Sequence, residues 1–136
     1  MDIITIKGEK DSGKTSLINY VLIQLLDKGA KLNSLETCGH GKEDFKASLR
    51  FNNKIVILCS IGDALTYIKE GLEFARKESG EIYINALSEK NVNTDDYEMQ
   101  LQQDEKIIKI IPRQTVGSEN IRKKNKILWK KILKEM

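Results

Sequence analysis

The chain has 136 residues, 40% of them hydrophobic, which is the size and composition of one compact core, and a single domain over 1–136 is expected. A net charge of +3 is too small to mark a nucleic-acid binder by itself, and no apolar run nears the roughly 20 residues that cross a bilayer, which argues against a membrane protein. The opening Met1-Asp2-Ile3-Ile4 lacks signal-peptide character, and Cys38 and Cys59 form no C-x-x-C pair, so a cytoplasmic protein with two free thiols is expected.

Ile3, Ile4 and Ile6 make a short β-branched run that ends at Gly8, as in a buried strand. From Lys14 on, Leu17, Ile18, Val21, Leu22, Leu25 and Leu26 recur at helical spacing, with Gly29 placed to end the helix. Lys31 to Glu36 reads as a second strand, and the polar, glycine-punctuated stretch from Thr37 to Asp44 as a loop. Phe45, Ala47, Leu49 and Phe51 alternate with polar residues, and Asn52-Asn53 then precedes the apolar run Ile55 to Cys59, a pattern that predicts an antiparallel hairpin. Leu65, Ile68, Leu72 and Ala75 share a helical face that Gly80 is expected to close. Ile82 to Ala86 resembles another strand, and Thr94 to Gln103 is at best weakly helical. Ile107, Ile108, Ile110 and Ile111 form a last strand stopped by Pro112. Ile121, Leu128, Ile132 and Met136 mark a terminal amphipathic helix over about 118–135, with Trp129 near the edge of its apolar stripe.

Strands that alternate with helices predict an α/β three-layer sandwich, its sheet mainly parallel with an antiparallel hairpin, because each parallel crossover needs a helix to cover the sheet. In such sheets ligands sit at the C-terminal strand ends. Residues 8–15, 36–44, 59–63, 86–90 and 112–115 are therefore expected around one site.

Gly8-Glu9-Lys10-Asp11-Ser12-Gly13-Lys14-Thr15 fits G-x-x-x-x-G-K-[ST] at every fixed position, after a strand and before a helix. Each residue type has a separate reason. The glycines allow a tight loop with inward N–H groups, and the helix that follows adds its positive end, so phosphate oxygens meet donors and partial charge together. Lys14 can bridge β- and γ-phosphates, and the Thr15 hydroxyl is a hard oxygen suited to magnesium. Here the chain resembles the P-loop NTPase superfamily, over residues 2 to about 29. The resemblance implies binding of a nucleoside triphosphate with magnesium by Gly8 to Thr15 and Ser16.

A typical member of that superfamily ends a hydrophobic strand in an Asp that holds magnesium through water. Here Ile55 to Leu58 runs into Cys59-Ser60-Ile61-Gly62-Asp63, so the acid is displaced or missing. Asp63 suits either a metal ligand or the N-cap of the helix starting at Ala64. The hairpin before Cys59-x-x-Gly62 is similar to the one before the D-x-x-G element of small GTPases, with Cys59 where the Asp stands. Gly62 then either offers its N–H to the γ-phosphate or simply turns the chain. Ala86 to Lys90 lacks the N-K-x-D pattern that reads guanine, which makes ATP the default ligand. Glu36, at a strand end, is either a catalytic acid or an ordinary solvated carboxylate, and His40 either touches substrate or stands by. The catalytic candidates are thus Lys14, Asp63 and Glu36, and the metal ligands Thr15 and Asp63.

The basic excess lies at the end of the chain: residues 118–136 hold seven Lys or Arg against Glu119 and Glu135, net +5, and the rest of the chain is −2. Arg122, Lys123, Lys124, Lys126, Lys130, Lys131 and Lys134 form either a solvated helix face or a surface for nucleic acid or an acidic partner. Two functional classes follow. One is an NTPase or small phosphotransferase acting on an acceptor. The other is a slow or noncatalytic nucleotide-dependent switch that regulates a protein or nucleic-acid partner through the loop Thr37 to Asp44.

Overall fold

The alternation of side chains along the strands decides the layers. In β1 (Asp2–Gly8), Ile4 and Ile6 face one way and Ile3 the other, and both faces are buried, so the strand must be covered on both sides. A computed structural model of the chain describes residues 1–9, 12–38, 43–103, 105–113, 117 and 120–136. The other elements are α1 (Lys14–Asp27), β2 (Lys31–Thr37), β3 (Phe45–Phe51), β4 (Lys54–Cys59), α2 (Leu65–Lys77), β5 (Ile82–Ser88), α3 (Thr94–Glu98), β6 (Lys106–Pro112) and α4 (Ile121–Glu135). One face of the sheet packs Ile4, Ile6, Leu58 and Ile84 against Leu17, Ile18, Val21 and Leu25 of α1 and Leu128, Trp129 and Ile132 of α4. The other packs Ile3, Ile57 and Tyr83 against Ile68, Leu72 and Ala75 of α2 and Tyr97 of α3. The result is a three-layer α/β sandwich, compatible with a generic P-loop-like fold.

The six strands lie in the order β2-β3-β4-β5-β1-β6. β1 is parallel to β5 and β6, β4 is parallel to β5, and β3 runs antiparallel to both β2 and β4. The hairpin turn is as the sequence suggests: Asn52 and Asn53 both take positive φ, 49° and 64°. Because β3 is reversed, its beginning lies at the sheet edge where the other strands end. β5 stands between β1 and β4, so Cys59 ends a strand one removed from β1.

Three local expectations change. The left-handed residue after α2 is Ser79, φ 58°, and Gly80 N–H then closes the turn on Ala75 O at 2.8 Å. Leu26 is exposed. Trp129 is buried against the sheet and does not sit at the edge of its helix, because α4 packs beside α1 and hides it.

Two polar contacts fix elements to one another. Thr5 Oγ1 donates to Asn85 Oδ1 at 2.8 Å, and Asn85 Nδ2 donates to the hydroxyl of Tyr97 on α3 at 2.9 Å, all three residues being buried. Burial pushes the Tyr97 phenol up to about 12, so it stays protonated. At the end of α2, Arg76 grips Glu105 with two bonds, Nη2 to Oε2 at 2.6 Å and Nε to Oε1 at 3.2 Å. This bond holds the Glu105 carboxyl below its ordinary value of 4.5. A lowered folded value contributes stability that is complete above the unfolded value and lost as pH falls through the folded one. The stability gap between wild type and Arg76→Met, read by urea unfolding, should therefore stay level down to about pH 4.5 and narrow below it.

Candidate functional site

The loop from Gly8 to Thr15 leaves the C-terminal end of β1 and enters α1. Gly13 is the N-cap of α1 in the left-handed conformation, φ 95°, a turn that favours glycine, and no side chain caps the helix among the described residues. The positive end of the α1 dipole lies at this turn, beside the loop. The Lys14 side chain is buried, and its ammonium donates to Gly8 O at 3.0 Å and to Glu9 O. Beside it opens a cavity of about 340 Å³ walled by Gly13 to Thr15, by Glu43 and Asp44 before β3, and by Ser60 and Asp63 after β4.

Asp44 lies in the segment 36–44 expected around the site, but the sequence reading assigns it no role of its own. Its Oδ1 accepts from Thr15 Oγ1 at 3.2 Å and from Ser60 Oγ at 3.0 Å. Ser60 in turn accepts from Phe45 N–H at 2.9 Å, and Ser60 N–H donates to Phe45 O at 3.0 Å. The start of the reversed strand is therefore buttoned to the end of β4. Asp44, directly before the neighbouring strand β3, thus brings a carboxylate to the end of β4, within hydrogen-bond reach of Thr15. Cys59 points the other way, into the α2 layer, where it and Cys38 are both free and buried.

The donors around the cavity are hydroxyls and carboxylates, Thr15, Asp44, Ser60 and Asp63, which are hard oxygens of the kind magnesium takes. Among the described residues no three of His, Cys, Asp or Glu gather to hold a metal alone. Magnesium does not require such a cage, since it commonly uses one or two protein oxygens with phosphate and water.

Among the described residues, the buried side-chain atoms without a hydrogen-bond partner are Ser12 Oγ, Ser88 Oγ and Arg113 Nε, and all three lie around this loop. Ser88 ends β5 level with Gly8, and Arg113 follows β6 on the opposite side of β1. Ser12 Oγ lies against Gly8, 2.6 Å from where a β-carbon would stand. An unsatisfied buried donor or acceptor costs about 1–3 kcal/mol, so their concentration at one place fits a site built for a polar ligand or water.

The remaining candidates are placed as follows. Asp63 lines the cavity but does not cap α2, whose N-cap is Ala64 with no side-chain bond. Gly62 is a close-approach glycine: its carbonyl accepts from Ser88 N–H at 2.9 Å, and a β-carbon would stand 2.0 Å from Ala86 O. Ser16 faces α4, where its Oγ accepts from Asn125 Nδ2 at 3.2 Å. Glu9 is exposed near Lys90, and Glu36 is exposed beside Lys46 at 3.7 Å, on the sheet surface and apart from the cavity wall. Lys10, Asp11 and His40 lie outside the described residues, as do Gly39 and Gly41. No protein-family model matches the chain, and no curated protein or solved structure matches it either.

Proposed function

We propose that the protein binds a nucleoside triphosphate, ATP by default, together with magnesium, at the loop Gly8 to Thr15, and acts as an NTPase or a small phosphotransferase. The observation that carries this reading is the hydrogen bond between Thr15 and Asp44 at the mouth of the cavity, with Lys14 beside it. A hydroxyl and a carboxylate held together in this way are the two protein oxygens that magnesium takes beside phosphate. When bound, the ion neutralises charge that develops on the phosphate oxygens. Lys14 exchanges its loop carbonyls for the β- and γ-phosphates, and the positive end of the α1 dipole favours the rest of the chain of phosphates. Asp63 supplies another carboxylate to the cavity lining.

Asp44→Ala tests the reading. The concentration of magnesium needed for half-maximal ATP binding should rise about tenfold, and binding without magnesium should change little. An unchanged magnesium requirement would remove Asp44 from the metal site.

A slow switch is the second reading, and the bonding of Asp44 favours it. The carboxylate that meets Thr15 also anchors the start of β3 through Ser60, so a change in its partners is transmitted to the segment between β2 and β3. Steady-state phosphate release separates the two. Turnover above about 1 per second by the isolated protein would establish a self-sufficient NTPase and sink the slow switch.

A further inference from the structure

Arg113 follows β6, and its N–H donates to Lys7 O at 2.7 Å, which draws the chain against the root of the loop. Its side chain is only 3% exposed and lies on Gly13: a β-carbon on that glycine would stand 3.0 Å from Nη2 and 3.2 Å from Nε. Gly13 is the left-handed pivot directly before Lys14. From the other side, Asn125 of α4 accepts from Arg113 Nη2 at 2.8 Å and donates to Ser16 Oγ at 3.2 Å. One amide on the terminal helix therefore joins the arginine under the loop to the first turn of the helix the loop enters.

Space filling does not account for this residue. Burying a guanidinium is unfavourable unless its donors are satisfied, and an apolar side chain would fill the volume without that penalty. Among the described residues no carboxylate pairs with Arg113, and its Nε is left without a partner. Burial alone pushes the guanidinium below its ordinary value, though an arginine keeps its charge. What arginine offers here, and lysine or leucine does not, is a rigid plane with donors at fixed angles.

We propose that Arg113 is a positioning residue: its guanidinium holds Gly13 in the left-handed turn that aims Lys14, Thr15 and the N-terminus of α1 at the phosphates, and Asn125 ties that setting to α4. The proposal rests on the nucleotide-binding reading for its consequence but not for its geometry. Any partner that shifts α4 changes the loop, and by linkage a ligand in the loop changes the affinity of that partner.

The test uses Asn125→Leu, Arg113→Lys and Ser16→Ala in the full chain, with two readouts. The first is the amide resonance of Gly13 in ¹H–¹⁵N spectra of the protein without nucleotide, and the second is Mg-ATP affinity by calorimetry. Asn125→Leu and Arg113→Lys should displace the Gly13 resonance while leaving that of Gly29, a turn glycine with nothing within 4 Å of its β-position, where it was. Both should weaken Mg-ATP binding about tenfold, as expected for loss of one charged hydrogen bond. Ser16→Ala should do the same to a smaller extent, and it serves where the other two fail to fold. A lower melting temperature with Gly13 and affinity unmoved would show packing alone and overturn the proposal. Full affinity in Arg113→Lys would show that charge, not the fork, matters, and would overturn it too. If the wild type does not bind Mg-ATP, the nucleotide reading fails, and the Gly13 resonance still decides whether Arg113 sets the loop.

Discussion

Replacing Lys14 with alanine should weaken triphosphate binding about a hundredfold, roughly 2.7 kcal/mol, while monophosphate binding changes hardly at all. The asymmetry comes from where the ammonium sits. It is buried at the inner end of the loop on the carbonyls of Gly8 and Glu9, where the proposed site would hold the outer phosphates. The uncapped N-terminus of α1 survives the substitution and still receives a single phosphate. Calorimetric titration of both nucleotides at one salt concentration measures the two effects. Equal weakening of both would mean that Lys14 shapes the loop and does not face the outer phosphates.

Gly62→Ala should destabilise the protein by about 3 kcal/mol or more, a large share of the 5–15 kcal/mol by which domains are usually stable. Its β-carbon would stand 2.0 Å from Ala86 O, 2.5 Å from Ala86 C and 3.0 Å from Leu87 N, all backbone of β5. β5 is clamped between β1 and β4 and cannot retreat, so the ends of β4 and β5 must part and the bond from Ser88 N–H to Gly62 O is lost as well. Gly29→Ala is the control. It has no steric conflict within 4 Å and carries only the strain of its positive φ, worth about 1–2 kcal/mol. Urea unfolding of the two variants compares them. A loss for Gly62→Ala no greater than that of the control would show that the strand ends yield.

The parts of the fold that depend on neighbours in sequence were legible there. The spacing of Leu17, Ile18, Val21 and Leu25 fixes the buried face of α1, and Asn52-Asn53 fixes the hairpin, because both are read from residues a few positions apart. The glycine-lysine loop is legible for the same reason. The contact of Asp44 is not, because it comes 16 residues before Ser60 and reaches it across the hairpin. The prediction that β3 and β4 pair antiparallel already contained the answer, since reversal brings the beginning of β3 to the end of β4. Arg113 and Trp129 were hidden for a different reason. Periodicity tells which face of an element is apolar, but not which helix lies over it, and burial of both depends on α4 packing beside α1.

The clasp of Thr5, Asn85 and Tyr97 acts on alignment more than on strength. β1 and β5 are apolar on both faces, so sliding β1 by two residues toward the start of β5 would still lay Ile4 against Ile82 and Ile6 against Ile84, and hydrophobic burial would hardly distinguish the alternatives. Thr5 and Asn85 stand directly opposite each other in the native pairing. Any slide would part Thr5 from Asn85 and leave the threonine hydroxyl and the amide oxygen without each other in the interior, at about 1–3 kcal/mol for each. The three groups serve as an index mark for strands that are otherwise interchangeable along their length. Since that pairing also puts Gly8 opposite Ser88 at the strand ends, the mark sets the height at which the loop departs from the sheet, three residues beyond Thr5.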